Sequence, residues 1–294
     1  MHASLAQTIP AGMVGSIGEQ RMKICVINIT PVPDEYLGHN RAVVDACCAG
    51  VLLPDTELAF RAPARGPMSL PRYLEDYRNP YFQHCVTHEV IATLIAADRE
   101  GFDALVVNCF DDPGVREARG LIKTPVFGLS EPTFHYACQL GAKLGALVPD
   151  MPGQVAFVQN QIEAMGLGGR MIRDGVRAES KRFTESFAEA LQYPQAMVDR
   201  LAAQGRQMVD DGADVIVIAC GGLGQICGVA GFHALGYRDT VVPVINPLTV
   251  AVKTAETMVA MQRALGTPLP SRVHAKRLSD EDVARIQSGF GVAG

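Results

Sequence analysis

Gly101-Phe-Asp-Ala-Leu-Val-Val-Asn-Cys109 and Gly212-Ala-Asp-Val-Ile-Val-Ile-Ala-Cys220 align without a gap. Each opens on Gly-x-Asp, continues as an unbroken apolar run and closes on a cysteine. An unbroken run, as opposed to an alternating one, marks a strand covered on both faces, as in a parallel sheet. Each stretch leads through a turn and a helix into a second short strand, Thr124-Pro-Val-Phe127 in one copy and Val242-Pro-Val-Ile245 in the other. Val-rich strands recur by chance. The shared Gly-x-Asp start and the shared terminal cysteine point to duplication, so the chain reads as two related halves.

Working outward, Met22 to Asn28 reads as a buried strand stopped by Thr30, Pro31 and Pro33. A helix is expected over Arg41 to Ala49, a strand over Glu57 to Arg61, and a loop from Ala62 to Pro71. Asn79-Pro80 opens a helix to about Arg99, with the proline in the first turn where its missing donor costs little. Asp112-Pro113 reads as the cap and first position of a helix through Arg119. Thr124 to Leu129 is the next strand. In the second half a helix starts near Glu131, followed by a strand at Leu144 to Val148 and a helix over Gly153 to Met165. A strand near Met171 and a helix over Pro194 to Asp211 come next. After the strand at Asp214 to Ala219, Val241 to Asn246 is the last strand and Leu248 to Leu265 a closing helix. Strands alternating with helices imply right-handed βαβ units.

Composition narrows the function. The 294 residues are 48% hydrophobic and 19% charged, with net charge −5 and six lysines. Neither sign is clustered, so nothing marks a nucleic-acid or anionic-membrane partner. No apolar stretch reaches the roughly 20 residues that span a bilayer. Residues 1–21 lack the pattern of a signal peptide and read as an extension before the first strand. The eight cysteines contain no CxxC pair. A cytoplasmic protein with reduced, mostly buried thiols is the expectation.

Two of those cysteines stand apart. Ligands of parallel α/β sheets bind beyond the carboxyl ends of the strands, where Cys109 and Cys220 both sit. A following helix N-terminus favours an anion and can lower a thiol pKa toward neutrality. Racemisation needs a base on one face of a carbon acid and a proton donor on the other, roles that a thiolate and a thiol can exchange. Backbone N–H groups after each cysteine could hold the enolate oxygen.

These residues resemble the aspartate/glutamate/hydantoin racemase superfamily, within it the hydantoin racemase branch. The resemblance rests on Ile27-Asn28, Asn108-Cys-Phe-Asp-Asp-Pro-Gly114, Pro125-Val-Phe-Gly-Leu-Ser-Glu131, Gly212 through Gly222, Pro243-Val-Ile-Asn-Pro247 and Ala251-Val-Lys-Thr-Ala-Glu256. It implies an α/β fold of two pseudo-symmetric three-layer αβα lobes, each with a mostly parallel four-stranded sheet, around a cleft. The first lobe is expected at 22–130 plus 248–294 and the second at 131–247. The resemblance also implies Cys109 and Cys220 as acid and base, without metal or organic cofactor. Asn28, Phe110, Asp111, Asp112, Gly114, Gly221 and Gly222 are the implied substrate-binding residues, and Glu131 reads either as a substrate-site residue that orients the cleft or as an acid satisfying free donors at a helix N-terminus. The partner is then a small molecule, and a homo-oligomer is expected. The amino-acid racemase branch usually follows its cysteines with Asn-Thr or Thr-Glu, which recognise a free amino acid. Phe110-Asp111 and Gly221-Gly222 stand here instead, and acidic residues beside Cys109 would repel a substrate carboxylate. A cyclic amide, such as a 5-substituted hydantoin or allantoin, fits better. The branch's usual Cys-Ala-Gly at the second cysteine and acid near Asn246 are absent. An aspartate/glutamate-type amino-acid racemase, a decarboxylase or isomerase of the superfamily, and a non-catalytic metabolite sensor are the competing readings.

Other signals have plainer readings. His84 and His88 share a helix face without a third metal ligand and read as partly exposed. His135 reads as a helix-surface residue. Gly222-Leu-Gly224 lacks the third glycine of a dinucleotide fingerprint. Cys47, Cys48, Cys85 and Cys138 read as core, and Cys227 as a helix residue facing the sheet. The charged stretch from Arg170 to Arg182 reads as a solvated loop or helix face, or a flap over the cleft.

Overall fold

The computed structural model describes residues 21–66, 76–273 and 276–291. The expected extension before the first strand, apart from Arg21, and the end of the expected loop over Ala62 to Pro71 lie outside the described residues. Two sheets form the frame. The first has the order β2-β1-β3-β4, all parallel, with β1 Met22–Ile27, β2 Thr56–Arg61, β3 Ala104–Val107 and β4 Val126–Phe127. The second has the order β6-β5-β7-β9-β8, with β5 Leu144–Asp150, β6 Met171–Arg182, β7 Val215–Ile218, β8 Ala234–Tyr237 and β9 Thr240–Ile245. It is five-stranded where four strands were expected, because β8 adds an antiparallel hairpin strand on β9.

The duplicated stretches become equivalent strands in equivalent registers. Leu105 pairs with Val126 and Val106 with Phe127, as Ile216 pairs with Val244 and Val217 with Ile245. All four residues of β3 are fully buried, and those of β7 nearly so. Side chains alternate across each strand. Ala104, Val106, Val215 and Val217 enter one core shared by both sheets, while Leu105 and Val107, and Ile216 and Ile218, face two separate outer cores. Both faces being covered is why polar residues are missing from these strands.

The Gly-x-Asp start has a physical role in both copies. Gly101 and Gly212 have positive φ, +77° and +99°, which a side chain would disfavour. The Asp103 carboxylate accepts the Lys23 backbone N–H at 2.8 Å, while the Asp103 N–H donates to the Lys23 carbonyl. Asp214 repeats this, accepting from Ala142 and Lys143 N–H groups at 2.8 and 2.9 Å and donating to the Lys143 carbonyl. Each aspartate thus fastens the start of its strand to the start of its sheet neighbour, β1 for Asp103 and β5 for Asp214.

Among the described residues the helices are α1 Asp34–Cys48, α2 Pro80–Asp98, α3 Val115–Arg119, α4 Ser130–Leu140, α5 Gln154–Ala164, α6 Phe183–Ala190, α7 Pro194–Asp210, α8 Gly221–Val229, α9 Pro247–Leu265 and α10 Asp280–Gly289. Helix α4 follows β4 yet packs on β7 and β9, whereas α9 follows β9 and packs on β1 and β3. Buried side chains of α1, α4, α5 and α9 fill the shared core. Glu256 of α9 is buried there and accepts from the Leu53 N–H at 2.9 Å and from the Thr56 hydroxyl.

Several sequence readings are corrected. The strand expected near Met171 is the twelve-residue edge strand β6, which replaces the loop, helix face or flap read over Arg170 to Arg182. Its charges project at an edge, except Glu179, which is buried and receives Arg200 Nε at 2.9 Å and the Ser186 hydroxyl at 2.5 Å. Asp112 does not cap α3, whose N-cap is Gly114. Its carboxylate instead accepts from the N–H groups of Leu129, at 2.6 Å, and Ser130 at the start of α4. Cys85 is exposed and Cys138 half-buried rather than core.

The aspartate fasteners are testable by unfolding. Asp214→Ala leaves two backbone donors without their acceptor and should cost about 1–3 kcal/mol in urea denaturation. A loss below about 0.3 kcal/mol would show that the contact is replaced by water at no cost.

Candidate active site

Strand polarity assembles the site. The carboxyl ends of β1, β3, β5 and β7 open onto one cavity of about 240 Å³, lined by Asn28, by Asn108 through Asp111, by Pro149 and Met151, and by Cys220 through Gly222. Both cysteines border it. Asn108, at the end of β3, meets α8: a Cβ on Gly221 would lie 3.0 Å from the Asn108 carbonyl oxygen. Gly222 is pressed in the same way by Phe183 and Phe187, at 3.3 and 3.2 Å. The glycines after Cys220 therefore let the strand end and α6 close in on the cysteine.

The two thiols differ in their surroundings. Cys220 is the N-cap residue of α8, and the backbone N–H groups of Gly222 and Leu223 favour its thiolate. Burial nevertheless outweighs them and pushes this thiol up to about 11. Cys109 has no helix behind it, since α3 begins six residues later. Burial pushes its thiol well up as well, and the Asp111 carboxylate adds to the rise. The Tyr77 hydroxyl, 3.3 Å from Cys109 Sγ, and the Asp111 backbone N–H act in the opposite direction. The expected lowering toward neutrality is thus not met: the helix effect has the expected sign at Cys220, and desolvation is larger.

Asp111 is not left as a bare charge. Arg78 Nη2 lies 2.8 Å from Asp111 Oδ2, and the guanidinium stacks over the rings of Phe157 and Tyr77 at 4.4 and 5.1 Å. Gln154 donates to Asp111 Oδ1 at 3.5 Å and accepts from Arg78. Burial raises the Asp111 carboxyl while Arg78 pulls it back. On the opposite wall Phe183 and Phe187 of α6 sit with ring centroids 5.4 Å apart. Asn28 donates to the Thr30 carbonyl and hydroxyl at 3.0 and 2.8 Å, leaving its amide oxygen for a ligand N–H.

Of the residues singled out in the sequence, Asn28, Cys109, Phe110, Asp111, Cys220, Gly221 and Gly222 meet at this cavity. The ring of Phe110 turns into the core, edge-on to Phe134 at 5.6 Å. Asp112, Gly114 and Glu131 do not reach the cavity. Asp112 serves the start of α4, and Gly114 turns the chain with φ +76° against Ile91. Glu131 is exposed and faces Arg119 at 3.5 Å, on a separate groove that also holds His135. Tyr77, Arg78, Gln154, Phe183 and Phe187 were not anticipated. Their only sequence signal was helical spacing of the two phenylalanines, which any core helix shares.

A sequence model of the Asp/Glu/hydantoin racemase family matches residues 41–255. A hydantoin racemase of Pseudomonas sp. (strain NS671) is 27% identical over 239 residues, covering 81% of this chain and 86% of that protein. A hydantoin racemase of Paenarthrobacter aurescens is 26% identical, covering 82% and 92%. Among solved structures, allantoin racemase from Pseudomonas fluorescens superposes with TM-score 0.66 at 23% identity, covering 88% of this chain and 97% of that one. Allantoin racemase from Klebsiella pneumoniae gives TM-score 0.66 at 20% identity, covering 88% and 94%. The chain therefore belongs to the Asp/Glu/hydantoin racemase family, in its hydantoin racemase branch, and is an enzyme of the racemase type.

Proposed function

We propose that the enzyme racemises a five-membered cyclic amide, a 5-substituted hydantoin or an allantoin-like compound, with Cys109 and Cys220 as alternating base and acid. The observation that carries this reading is the presence of both duplicated cysteines on one small cavity. The thiolate of one removes the proton from the ring carbon beside the carbonyl. The thiol of the other delivers its proton to the opposite face. Each turnover exchanges their protonation states and leaves the net proton count unchanged. Backbone N–H groups at the start of α8 favour charge on the thiolate of Cys220 and on an enolate oxygen beside it.

The cavity also supports the substrate class. Among its described lining residues Arg78 is the one guanidinium and Asp111 the one carboxylate, and they pair. A free amino acid would have to draw Arg78 away from Asp111 to neutralise its own carboxylate. A neutral ring amide needs only N–H and C=O partners, such as Asn28, and an apolar surface for its substituent, such as Phe183 and Phe187. The relatives named hydantoin racemase agree with that choice.

Serine at either cysteine should lower racemisation by about a thousandfold, the scale of a lost acid or base. In D2O each single variant should still exchange the ring proton of one enantiomer, opposite for the two variants. Full racemisation by both variants, or deuterium entering aspartate or glutamate but no cyclic amide, would overturn the proposal.

The raised thiols set the pH dependence. A base held up to about 11, as at Cys220, is present as thiolate in a small fraction at neutral pH. Because deprotonation creates the active form, kcat/KM should climb about tenfold per pH unit from pH 7 toward 9 without a plateau. A plateau already reached at pH 7 would contradict the desolvated site.

A further inference from the structure

Although the repeat makes Cys109 and Cys220 equivalent in sequence, only Cys220 stands at a helix N-terminus. Cys109 must be both thiol and thiolate in the reaction proposed above, and something else has to serve its charged state. The segment leading into α2 places Tyr77 there. Its side chain is buried, with 6% of the residue exposed, and its hydroxyl is 3.3 Å from Cys109 Sγ. The same hydroxyl is also among the groups that hold the Asp111 carboxyl down. A phenol carries one proton, so it can donate to the sulfur or to the carboxylate, but not to both.

We propose that Tyr77 is the positioning residue for Cys109: its hydroxyl donates to Sγ when Cys109 is the thiolate and turns to Asp111 when Cys109 carries its proton. No proton leaves the tyrosine; only its O–H rotates. When the hydroxyl faces the sulfur, Asp111 keeps Arg78 at 2.8 Å and Gln154 at 3.5 Å, so the carboxylate is not stranded. When it faces Asp111, the Cys109 proton is free to point at the substrate carbon. The charged and titratable groups acting on Cys109 are Asp111, Tyr77 and Cys220, with Arg78 behind Asp111. The inference rests on the reading of Cys109 as acid and base, and it adds the group that makes both states tenable.

The test reads thiol ionisation without substrate, so its failure is distinct from a failure of the racemase reading. Wild type and Tyr77→Phe are alkylated with iodoacetamide from pH 7 to 11, and Cys109 and Cys220 are followed by peptide mass spectrometry, with exposed Cys85 as internal standard. In Tyr77→Phe the Cys109 alkylation rate should fall about three- to tenfold at each pH, equivalent to half to one pH unit of ionisation and the scale of one hydrogen bond, while the Cys220 rate is unchanged. Racemisation should fall by a similar factor across pH 7 to 9, in kcat more than in KM. Asp111→Asn provides the opposite sign, since the hydroxyl then has the sulfur as its better acceptor, and Cys109 should be alkylated faster. That gain should be smaller in the Tyr77→Phe background. An unchanged Cys109 rate in either single variant, equal changes at both cysteines, or an Asp111→Asn effect independent of Tyr77 would overturn the proposal.

Discussion

Burial of β3 and β7 on both faces is the constraint from which the rest of the molecule follows. Each strand sends alternate side chains into a core common to both sheets and the others into its own outer core. The common core is filled by α1, α4, α5 and α9, and two of these come from across the molecule: α4 lies on the second sheet and α9 on the first. With the middle layer shared, the carboxyl ends of four strands converge on one cavity. The Gly-x-Asp turns set the opposite end, since Asp103 and Asp214 hold each strand start against its neighbour. A cysteine two residues beyond each strand therefore arrives at that cavity from each sheet.

The same burial sets the chemistry. Desolvation raises both thiols more strongly than the helix N-terminus or the neighbouring donors lower them. A poorly solvated thiolate is a stronger base toward a carbon acid than an exposed one, at the expense of being scarcer. The protein compensates differently on its two sides, with backbone N–H groups at Cys220 and a side-chain hydroxyl at Cys109. The two copies of the repeat thus share their strands and sulfurs while their hydrogen-bond partners differ. Asp111 is part of that difference: its charge is tolerated because Arg78 and Gln154 close around it.

Much of this was legible in the residues. Unbroken apolar runs located β3 and β7, and the shared glycine, aspartate and cysteine located the repeat, because these features are local and a covered strand tolerates no polar residue. Edge strand β6 was legible only at its start, near Met171. Its Arg, Lys and Glu residues resemble a solvated loop, and only the sheet edge beside β5 shows that most of them can project while Glu179 turns inward to Arg200. Asp112 looked like the cap of the helix just after it. The positive φ of Gly114 instead moved that start, and the carboxylate went to α4.

By itself the sequence determined an α/β chain of two related halves, the strand-end placement of Cys109 and Cys220, and the family to which these belong. Those properties depend on neighbours along the chain, where side-chain period and turn chemistry act. Tertiary structure alone decided what surrounds the sulfurs. Tyr77, Arg78, Gln154, Phe183 and Phe187 reach the cavity from segments 31 to 78 residues away from Cys109, and nothing local marks them. The thiol ionisation was likewise beyond the sequence, because it depends on how completely two packed sheets exclude water. Helix position, which the sequence does reveal, proved the smaller effect.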